Sequence, residues 1–364
     1  PIHASTQMSI HSLEGVQQAR ELGCTRVVLA RELNMEDVRG ICEKTPESLE
    51  IEAFVHGAVC ASYSGRCVLS NYLTGRDANQ GQCAQTCRWK YALVEEKRPG
   101  EYMPVFEDAR GTYFYSANDL CMIAYLKELV DAGVCSFKIE GRMKNPDYVF
   151  NVVRVWRRAL DMLCDGAWDP GAVEELEREL GRSFNRGFTD AYLRGRSGAE
   201  LMSFERAINQ GVRVGRLVAV GHEEATVELD AAVAAGDTLE IRFYPGVDAR
   251  PDVPKRWPQV PCPVDAEAGE RVVVHCKRKV DTGCEVYLIR SAGVLDQTAA
   301  VLERMRAEAD AIAPVARAVE VLPFEGVLAD GDVPTELAEP GEPAKREDFA
   351  RIVFAWELMD VDPL

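Results

Sequence analysis

Apolar and polar positions follow two different periods along the first half of the chain. Leu49, Ile51, Ala53 and Val55 alternate with polar neighbours, which is the two-residue period of a strand. Other stretches repeat their apolar residues at helical spacing. The predicted strands are residues 26–30, 49–56 and 135–139, and the predicted helices are 35–42, 117–132 and 147–163. Strands that alternate with helices predict a parallel α/β sheet.

Polar and charged residues stand where these strands end. In a (β/α) barrel the chemistry gathers at the C-terminal ends of the strands, so the pattern predicts a site there. The catalytic candidates at these ends are Arg31, Glu32, His56, Glu140 and Arg142. A complete barrel needs eight units and about 250 residues. Only four or five units can be traced before residue 163, so we expect a TIM-like barrel that is incomplete at the N-terminus of this chain.

The pattern changes after residue 211 to five short apolar strands with glycines between many of them. This predicts a small C-terminal β-barrel. Such a module binds RNA in some proteins and is an inert appendage in others, and the sequence leaves both open. The predicted parts are a partial barrel with a cysteine-rich loop (1–165), a connecting segment rich in arginine and aromatic residues (166–210), the β-barrel (211–292), and a helix with an acidic tail (293–364).

Four of the twelve cysteines lie close together in a polar, glycine-rich stretch. They are Cys60, Cys67, Cys83 and Cys87, with the spacing C-x6-C-x15-C-x3-C. Four thiolates close a tetrahedral zinc site or hold an iron–sulfur cluster. Only the second pair has the tight spacing of a zinc knuckle, so the pattern favours a cluster and leaves zinc open. Ordinary core cysteines are the less favoured alternative, because the stretch is polar.

The net charge of −17 is unevenly distributed. Residues 324–364 hold eleven acidic and three basic residues, which accounts for about half of the excess. Residues 182–216 hold seven arginines against three acidic residues, with aromatic residues among them. Arginines beside aromatics suit RNA phosphates and bases, although a solvated surface explains the segment equally well.

Four further residues are candidates for substrate binding: Gln7, Glu52, Lys138 and Lys144. Gln7 would offer an amide, and Glu52 shares the polar strand face of His56 and would orient it. Lys144 and Arg142 would bind an anion, because a guanidinium pairs well with a carboxylate. Lys138 is a further cation of the same region.

Three segments carry a family resemblance. EAFVHGAVCASYSGRCVLSNY over residues 52–72, HASTQMSIHS followed by RVVLAREL, and SANDLCMIAYLKELVDAGVCSFKIEGRMKNPDYV resemble peptidase family U32, the collagenase-like peptidases of unassigned catalytic type. That family also contains RNA hydroxylases. The resemblance covers about the first half of the chain and implies a TIM-like barrel. In the RNA-hydroxylase branch it implies a 4Fe–4S cluster on the counterparts of Cys60, Cys67, Cys83 and Cys87, with prephenate as hydroxyl source.

The function that the resemblance favours is prephenate-dependent C5-hydroxylation of a pyrimidine in RNA, above all the wobble uridine of tRNA. The alternatives are a 23S rRNA cytidine hydroxylase, a peptidase, and a non-catalytic iron–sulfur scaffold that acts with a protein partner. The sequence has neither a Gly-x-Ser-x-Gly elbow nor a His-Glu-x-x-His pair, which argues against the peptidase. No apolar run approaches the roughly 20 residues of a membrane span, and reduced thiols suit the cytoplasm.

Overall fold

The computed structural model describes residues 1–89, 92–94, 102–104, 116–195, 201, 209–242 and 257–316. The predicted acidic tail and part of the arginine-rich segment lie outside these ranges. Residues 1–298 form one compact unit, and residues 299–364 belong to a second. None of the helices in the described ranges has the length and apolar character needed to cross a lipid bilayer.

The first part of the chain alternates strands and helices, as the sequence pattern predicts. Its elements are β1 (Ile2–Ala4), α1 (Leu13–Glu21), β2 (Cys24–Val28), α2 (Met35–Cys42), β3 (Glu50–Ala58), α3 (Leu69–Thr74), β4 (Ala92–Val94), β5 (Tyr102–Pro104), β6 (Asp119–Cys121), α4 (Leu126–Asp131), β7 (Ser136–Ile139), α5 (Pro146–Cys164), α6 (Pro170–Gly181) and β8 (Phe188–Thr189). Several helix starts are fixed by side chains that accept a backbone N–H, namely Ser12, Asn34 and Asp169. Proline at the first position of α5 and α6 supports the same starts.

The first sheet contains both parallel and antiparallel strands, and the C-terminal ends of its parallel strands lie on one edge. β1, β2, β3 and β7 are parallel to one another. β6 is antiparallel to β3, with Asp119 opposite Ala58, and β8 is parallel to β6. The C-terminal ends of the parallel strands therefore lie on the same edge as the beginnings of β6 and β8.

The core of this part forms between the inward face of the sheet and the helices that cover it. Val27 and Val55 are fully buried, as are Ile123 before α4 and Val152 of α5. Leu176 and Leu180 of α6 complete the same core. Residues 166–210, expected to be a connecting segment, therefore contribute a core helix and the strand β8.

The second sheet is antiparallel and nearly closes on itself. Its elements are β9 (Val212–Val220), β10 (Glu224–Leu229), β11 (Thr238–Arg242), β12 (Gln259–Pro261), β13 (Arg271–His275) and β14 (Glu285–Arg290), followed by α7 (Ala292–Ala316). The strand order is β12–β11–β14–β9–β10–β13, and the two edge strands approach each other. Alternate residues such as Val227, Ile241 and Val286 are fully buried inside.

The predicted α/β class is confirmed, and the antiparallel strands form the barrel-like second sheet. One element is wrong: residues 117–132 do not form a single helix, because Asp119–Cys121 pairs with β3 and only Leu126–Asp131 is α-helical. Backbone pairing with a distant strand outweighs the local helical spacing there. The strand β12 is an addition, since five strands were expected in the second sheet and six are present.

Candidate metal centre and its surroundings

The four clustered cysteines come together at the edge where β3 ends. Cys60 follows β3, Cys67 precedes α3, and Cys87 lies in a 3-10 turn formed by Thr86–Arg88. All four thiols are free. Burial raises the pKa of Cys87, Arg88 lowers it, and the thiols of Cys60, Cys83 and Cys67 raise it further. The fold thus places Cys87 where the thiols of Cys60, Cys67 and Cys83 affect its pKa.

The donor set fits a thiolate-bound metal or cluster in kind and number. In the described part of the chain, however, no three His, Cys, Asp or Glu side chains are already spaced to hold a metal ion. The effect of the other three thiols on the pKa of Cys87 indicates that the sulfur atoms are near one another, whereas their positions do not form a metal site. Rotation of a cysteine side chain changes its sulfur position while the backbone stays in place.

Residues that follow the end of β2 hold the loop between Cys60 and Cys67. The backbone N–H and Nε of Arg31 both donate to Ser64 Oγ at 3.2 Å. Ser64 N donates to Glu32 Oε1 at 2.5 Å. Ser64 is fully buried. Arg31 and Glu32, two of the predicted catalytic residues, are thus engaged in positioning the cysteine loop.

Gln7 reaches the same loop through its backbone. A Cβ on Gly65 would lie 2.1 Å from Gln7 O, and Gly65 has a φ of +69°. Only glycine tolerates both the left-handed backbone and this close approach. The structure therefore brings Gln7 to the cysteine loop, with its carbonyl rather than its side-chain amide in contact.

The stretch from Cys67 to Cys87 has its own framework of hydrogen bonds. Ser70 Oγ donates to Arg76 O and accepts from Ala84 N, and Asn79 Nδ2 donates to Cys67 O at 2.9 Å. Gln85 N donates to Cys83 Sγ at 3.3 Å.

Arg88 holds the end of this stretch to the sheet, and no pattern in the sequence indicated this role. Its Nη1 donates to Ser116 Oγ and Ala117 O, and its Nη2 donates to Val59 O at 3.0 Å. Val59 precedes Cys60, and Arg88 follows Cys87. One guanidinium therefore ties the fourth cysteine to the strand that carries the first.

A buried ion pair lies beside Arg88. Arg186 Nη1 donates to Asp119 Oδ1 at 2.9 Å, and Arg186 N donates to Asp119 Oδ2. Both side chains are almost completely buried. Asp119 lies at this edge because β6 is antiparallel to β3. β6 is a strand that the sequence pattern did not predict. The arginine between aromatics in SFNRGF was the signal available for Arg186.

Of the four residues predicted to bind substrate, Lys144 is the one that lies near Asp119 and Arg186. Its Nζ is 3.2 Å from the centroid of Phe184 and 5.4 Å from that of Tyr148. Burial lowers the pKa of Lys144 to about 8, with Asp119 opposing and Arg186 supporting the shift. Arg142 is exposed, and its Nη1 lies 2.7 Å from where a Cβ on Gly81 would project. It therefore contacts the cysteine stretch.

His56 is not on a polar face, contrary to the strand alternation. It is 2% exposed, and its ring lies about 6 Å from those of Tyr148, Trp156 and Phe188. Pairing of β3 with β7 shifts register between Phe54 and His56, which breaks the alternation. Its Nδ1 has no hydrogen-bond partner among the described residues. Burial, with the charge of Lys144, lowers the pKa of His56 to about 3.

The other predicted residues on these strands have different partners. Glu52 accepts from Ser136 Oγ at 2.6 Å and pairs with Arg26 and with Lys138, whose Nζ is 3.6 Å away. The expectation that Glu52 orients His56 is therefore wrong. Glu140 N donates to His56 O at 2.8 Å, and a carboxylate oxygen of Glu140 accepts from Arg142 N.

The buried imidazole should make the fold sensitive to acid. Above pH 6.5 His56 is neutral in both states, whereas toward pH 3 only the unfolded chain takes up the proton. The free energy of unfolding should therefore fall by about 1.4 kcal/mol per pH unit in this window. In urea unfolding between about pH 5.5 and pH 4, where the unfolded histidine is protonated and the folded one is not, His56→Gln should show a slope about 1.4 kcal/mol per unit flatter than the parent. His222→Gln, at an exposed site, should keep the parent slope. Equal slopes in the parent and His56→Gln would contradict the neutral buried histidine.

Comparison with known proteins gives one family. The sequence profile of peptidase family U32 matches residues 1–203. The tRNA hydroxylation protein P of Escherichia coli is 34% identical over 66% of this chain and 62% of its own length. The 23S rRNA 5-hydroxycytidine C2501 synthase of E. coli is 35% identical over 66% of this chain and 36% of its own length. A protein named collagenase from Porphyromonas gingivalis is 38% identical over 53% of this chain and 48% of its own length.

The chain thus spans less than two thirds of the length of each of these three relatives. No solved structure matches it significantly.

Proposed function

Because the chain belongs to peptidase family U32, we propose that it is an iron–sulfur RNA hydroxylase that acts on carbon 5 of a pyrimidine, most favourably the wobble uridine of tRNA. The observation that carries the proposal is the placement of four free thiols in the segment that follows β3, which Arg88 holds to the sheet through its hydrogen bond to Val59 O. The named tRNA and rRNA hydroxylation relatives support it. Ribosomal RNA is the alternative substrate.

In this proposal Cys60, Cys67, Cys83 and Cys87 hold a 4Fe–4S cluster. A cluster of this kind supplies one-electron redox chemistry when bound. Arg31, Glu32 and Arg88 keep the cysteine-bearing loops in place through the hydrogen bonds described above. We also propose that the first sheet belongs to a TIM-like barrel, since its parallel strands bring the candidate residues to their C-terminal ends.

The second proposed element is an anion site for prephenate at Lys144. An ammonium group between Phe184 and Tyr148 has lost much of its water, and no carboxylate among the described residues forms an ion pair with it. A carboxylate ligand would restore its electrostatic stabilisation, and the nearby Arg186 adds positive potential. Arg142 was the expected clamp, but its exposure makes it a weaker anion site than Lys144.

The peptidase alternative draws on the relative named collagenase. A cysteine or serine peptidase needs a nucleophile within hydrogen-bond reach of a base. His56 is the buried histidine of the site, and its Nδ1 meets no hydroxyl or thiol in the described part of the chain. Its low pKa also makes it a poor proton acceptor at neutral pH. These observations favour hydroxylation.

Loss of the lysine charge should weaken use of the co-substrate. We expect Lys144→Met to lower kcat/KM for prephenate about tenfold or more, because a charge-assisted hydrogen bond contributes about 1.5–3 kcal/mol. Lys127→Met removes an exposed lysine of α4 and should change little. In the parent, kcat/KM should fall as the pH rises above about 8, the pKa of Lys144, since the free ammonium is then lost. A flat profile together with normal activity of Lys144→Met would place the anion elsewhere.

The proposed function is tested by comparing RNA nucleosides from a deletion strain and its parent by mass spectrometry. We expect 5-hydroxyuridine or a nucleoside derived from it to be missing from the tRNA of the deletion strain. Loss of 5-hydroxycytidine from 23S rRNA would instead identify the ribosomal alternative. An unchanged set of hydroxylated nucleosides in both RNAs would overturn the proposal.

A further inference from the structure

Exposed aromatic side chains are concentrated around the four cysteines. Tyr63, Tyr72 and Trp89 are 73%, 85% and 46% exposed. In the described part of the chain, every aromatic side chain that is more than about a third exposed belongs to this set. Large exposed apolar groups are costly in water, so their concentration in one segment indicates a binding surface.

These three residues lie on neighbouring elements. Tyr63 stands in the tight turn whose carbonyl accepts from Arg66 N, between Cys60 and Cys67. Tyr72 is on α3, which contacts the 3-10 turn that ends immediately before Trp89. The hydrogen bond from Ala84 N to Ser70 Oγ ties α3 to the residues just before that turn. The aromatic residues therefore lie within the same segment as the cysteines, on elements that internal hydrogen bonds hold in place.

The same segment is positively charged, although the whole chain carries −17. Between residues 60 and 89 there are three arginines and a single acidic residue, Asp77. The Asp77 carboxylate accepts from Asn79 N and is occupied in that turn. Arg66 and Arg76 are exposed, and neither forms an ion pair with a described residue. A local excess of unpaired arginine favours a polyanionic partner.

We propose that Tyr63, Arg66, Tyr72, Arg76 and Trp89, here called the cysteine-loop surface, bind an unpaired loop of RNA. This inference rests on the proposed function and specifies the form of its substrate. Aromatic side chains stack on bases only where the bases are not already stacked in a duplex, and arginines between them contact the phosphates. The modified base would then lie next to the cysteines. A protein partner would use the apolar groups but would leave the arginines without phosphates.

The test measures binding of a labelled single-stranded RNA, and of the same strand annealed to its complement, by fluorescence anisotropy at fixed salt. The variant Tyr63→Ala/Tyr72→Ala/Trp89→Ala should bind the single strand about 100-fold more weakly, because each of the three stacked bases contributes at least about fivefold to the affinity. The matched control replaces three exposed valines in or between strands of the second sheet, Val220, Val264 and Val273, with alanine. It should bind like the parent. Replacing the three aromatic residues with phenylalanine should retain most of the binding.

The arginines are tested separately. Arg66→Ala/Arg76→Ala should weaken binding and reduce its salt dependence, whereas Arg157→Ala/Arg178→Ala, at exposed arginines of α5 and α6, should not. Iron content is measured in every variant, so that loss of the metal centre is not mistaken for loss of the surface.

Three results would overturn the proposal: equal single-strand binding by the aromatic variant and the parent, equal binding of duplex and single strand by the parent, or no RNA binding by the parent. Capture of a protein by the parent and not by the aromatic variant, with RNA binding unchanged, would also overturn it. The nucleoside assay distinguishes failure of the cysteine-loop surface from failure of the proposed function. If the aromatic variant restores hydroxylation fully in a deletion strain, the surface is wrong and the proposed function stands. If the parent restores none, the proposed function fails, and the binding assay alone decides the surface.

Discussion

Alanine in place of any one of Cys60, Cys67, Cys83 and Cys87 should remove most of the iron and acid-labile sulfide from anaerobically purified protein. A cluster with four thiolate ligands loses one iron position when one sulfur is removed, and an incomplete cluster is lost to solvent. The electrostatic coupling of Cys87 to the other three sulfurs supports this ligand set. Hydroxylation should be lost together with the iron.

The control for this prediction uses cysteines outside the stretch. Cys135 and Cys164 are exposed free thiols on other elements, and their alanine variants should keep the iron of the parent. If the four single variants kept full iron while a change at Cys135 or Cys164 removed it, the ligand assignment would be wrong. Zinc in place of iron in the parent would keep the ligands but refute the cluster.

The second large effect is expected at Arg88, which binds no metal itself. Arg88→Met would leave the acceptors on Val59, Ser116 and Ala117 without their donor. Buried acceptors without a partner cost about 1–3 kcal/mol each, so the loss of the donor to all three should lower the free energy of unfolding by about 3 kcal/mol or more. The iron content should fall as well, because Cys87 is then no longer tied to the end of β3.

Arg88→Lys separates charge from geometry. Lysine keeps the positive charge but lacks the planar fork that reaches Val59 and Ala117 together, so its iron content should lie between those of the parent and Arg88→Met. Arg66→Met, at an exposed arginine, is the control for both urea unfolding and iron content. Unchanged iron and stability in Arg88→Met would show that the cysteine stretch is held by other contacts.

Much of the fold follows from local sequence patterns. The helix predicted over 35–42 matches α2, and the strand predicted by VRVGRLVAV matches β9. These elements have strong periods within one short stretch, which is the information that a sequence pattern contains. The pattern also predicted a site at the strand ends, and Arg31 and Glu32, which follow β2, hydrogen-bond to Ser64 in the loop between Cys60 and Cys67.

The parts that the pattern missed depend on distant pairing. Asp119–Cys121 lies in a stretch with helical spacing, and only its partner β3, about 60 residues earlier, makes it a strand. The ion pair between Asp119 and Arg186 spans 67 positions. His56 is buried because a register shift against β7 turns it inward. Each of these features depends on residues that are far apart in the sequence. The buried charges around Lys144 could therefore not be predicted from any short stretch of the chain.

The most direct test of the proposed activity is a reaction with purified components. The anaerobically purified protein is incubated with prephenate and with tRNA from the deletion strain, and the digested nucleosides are identified by mass spectrometry. We predict 5-hydroxyuridine when protein, iron and prephenate are all present, and none when prephenate is omitted or when Cys67→Ala replaces the parent. The same yield from the iron-free Cys67→Ala protein, or no hydroxylated nucleoside from iron-loaded parent with either tRNA or 23S rRNA, would contradict an iron–sulfur RNA hydroxylase.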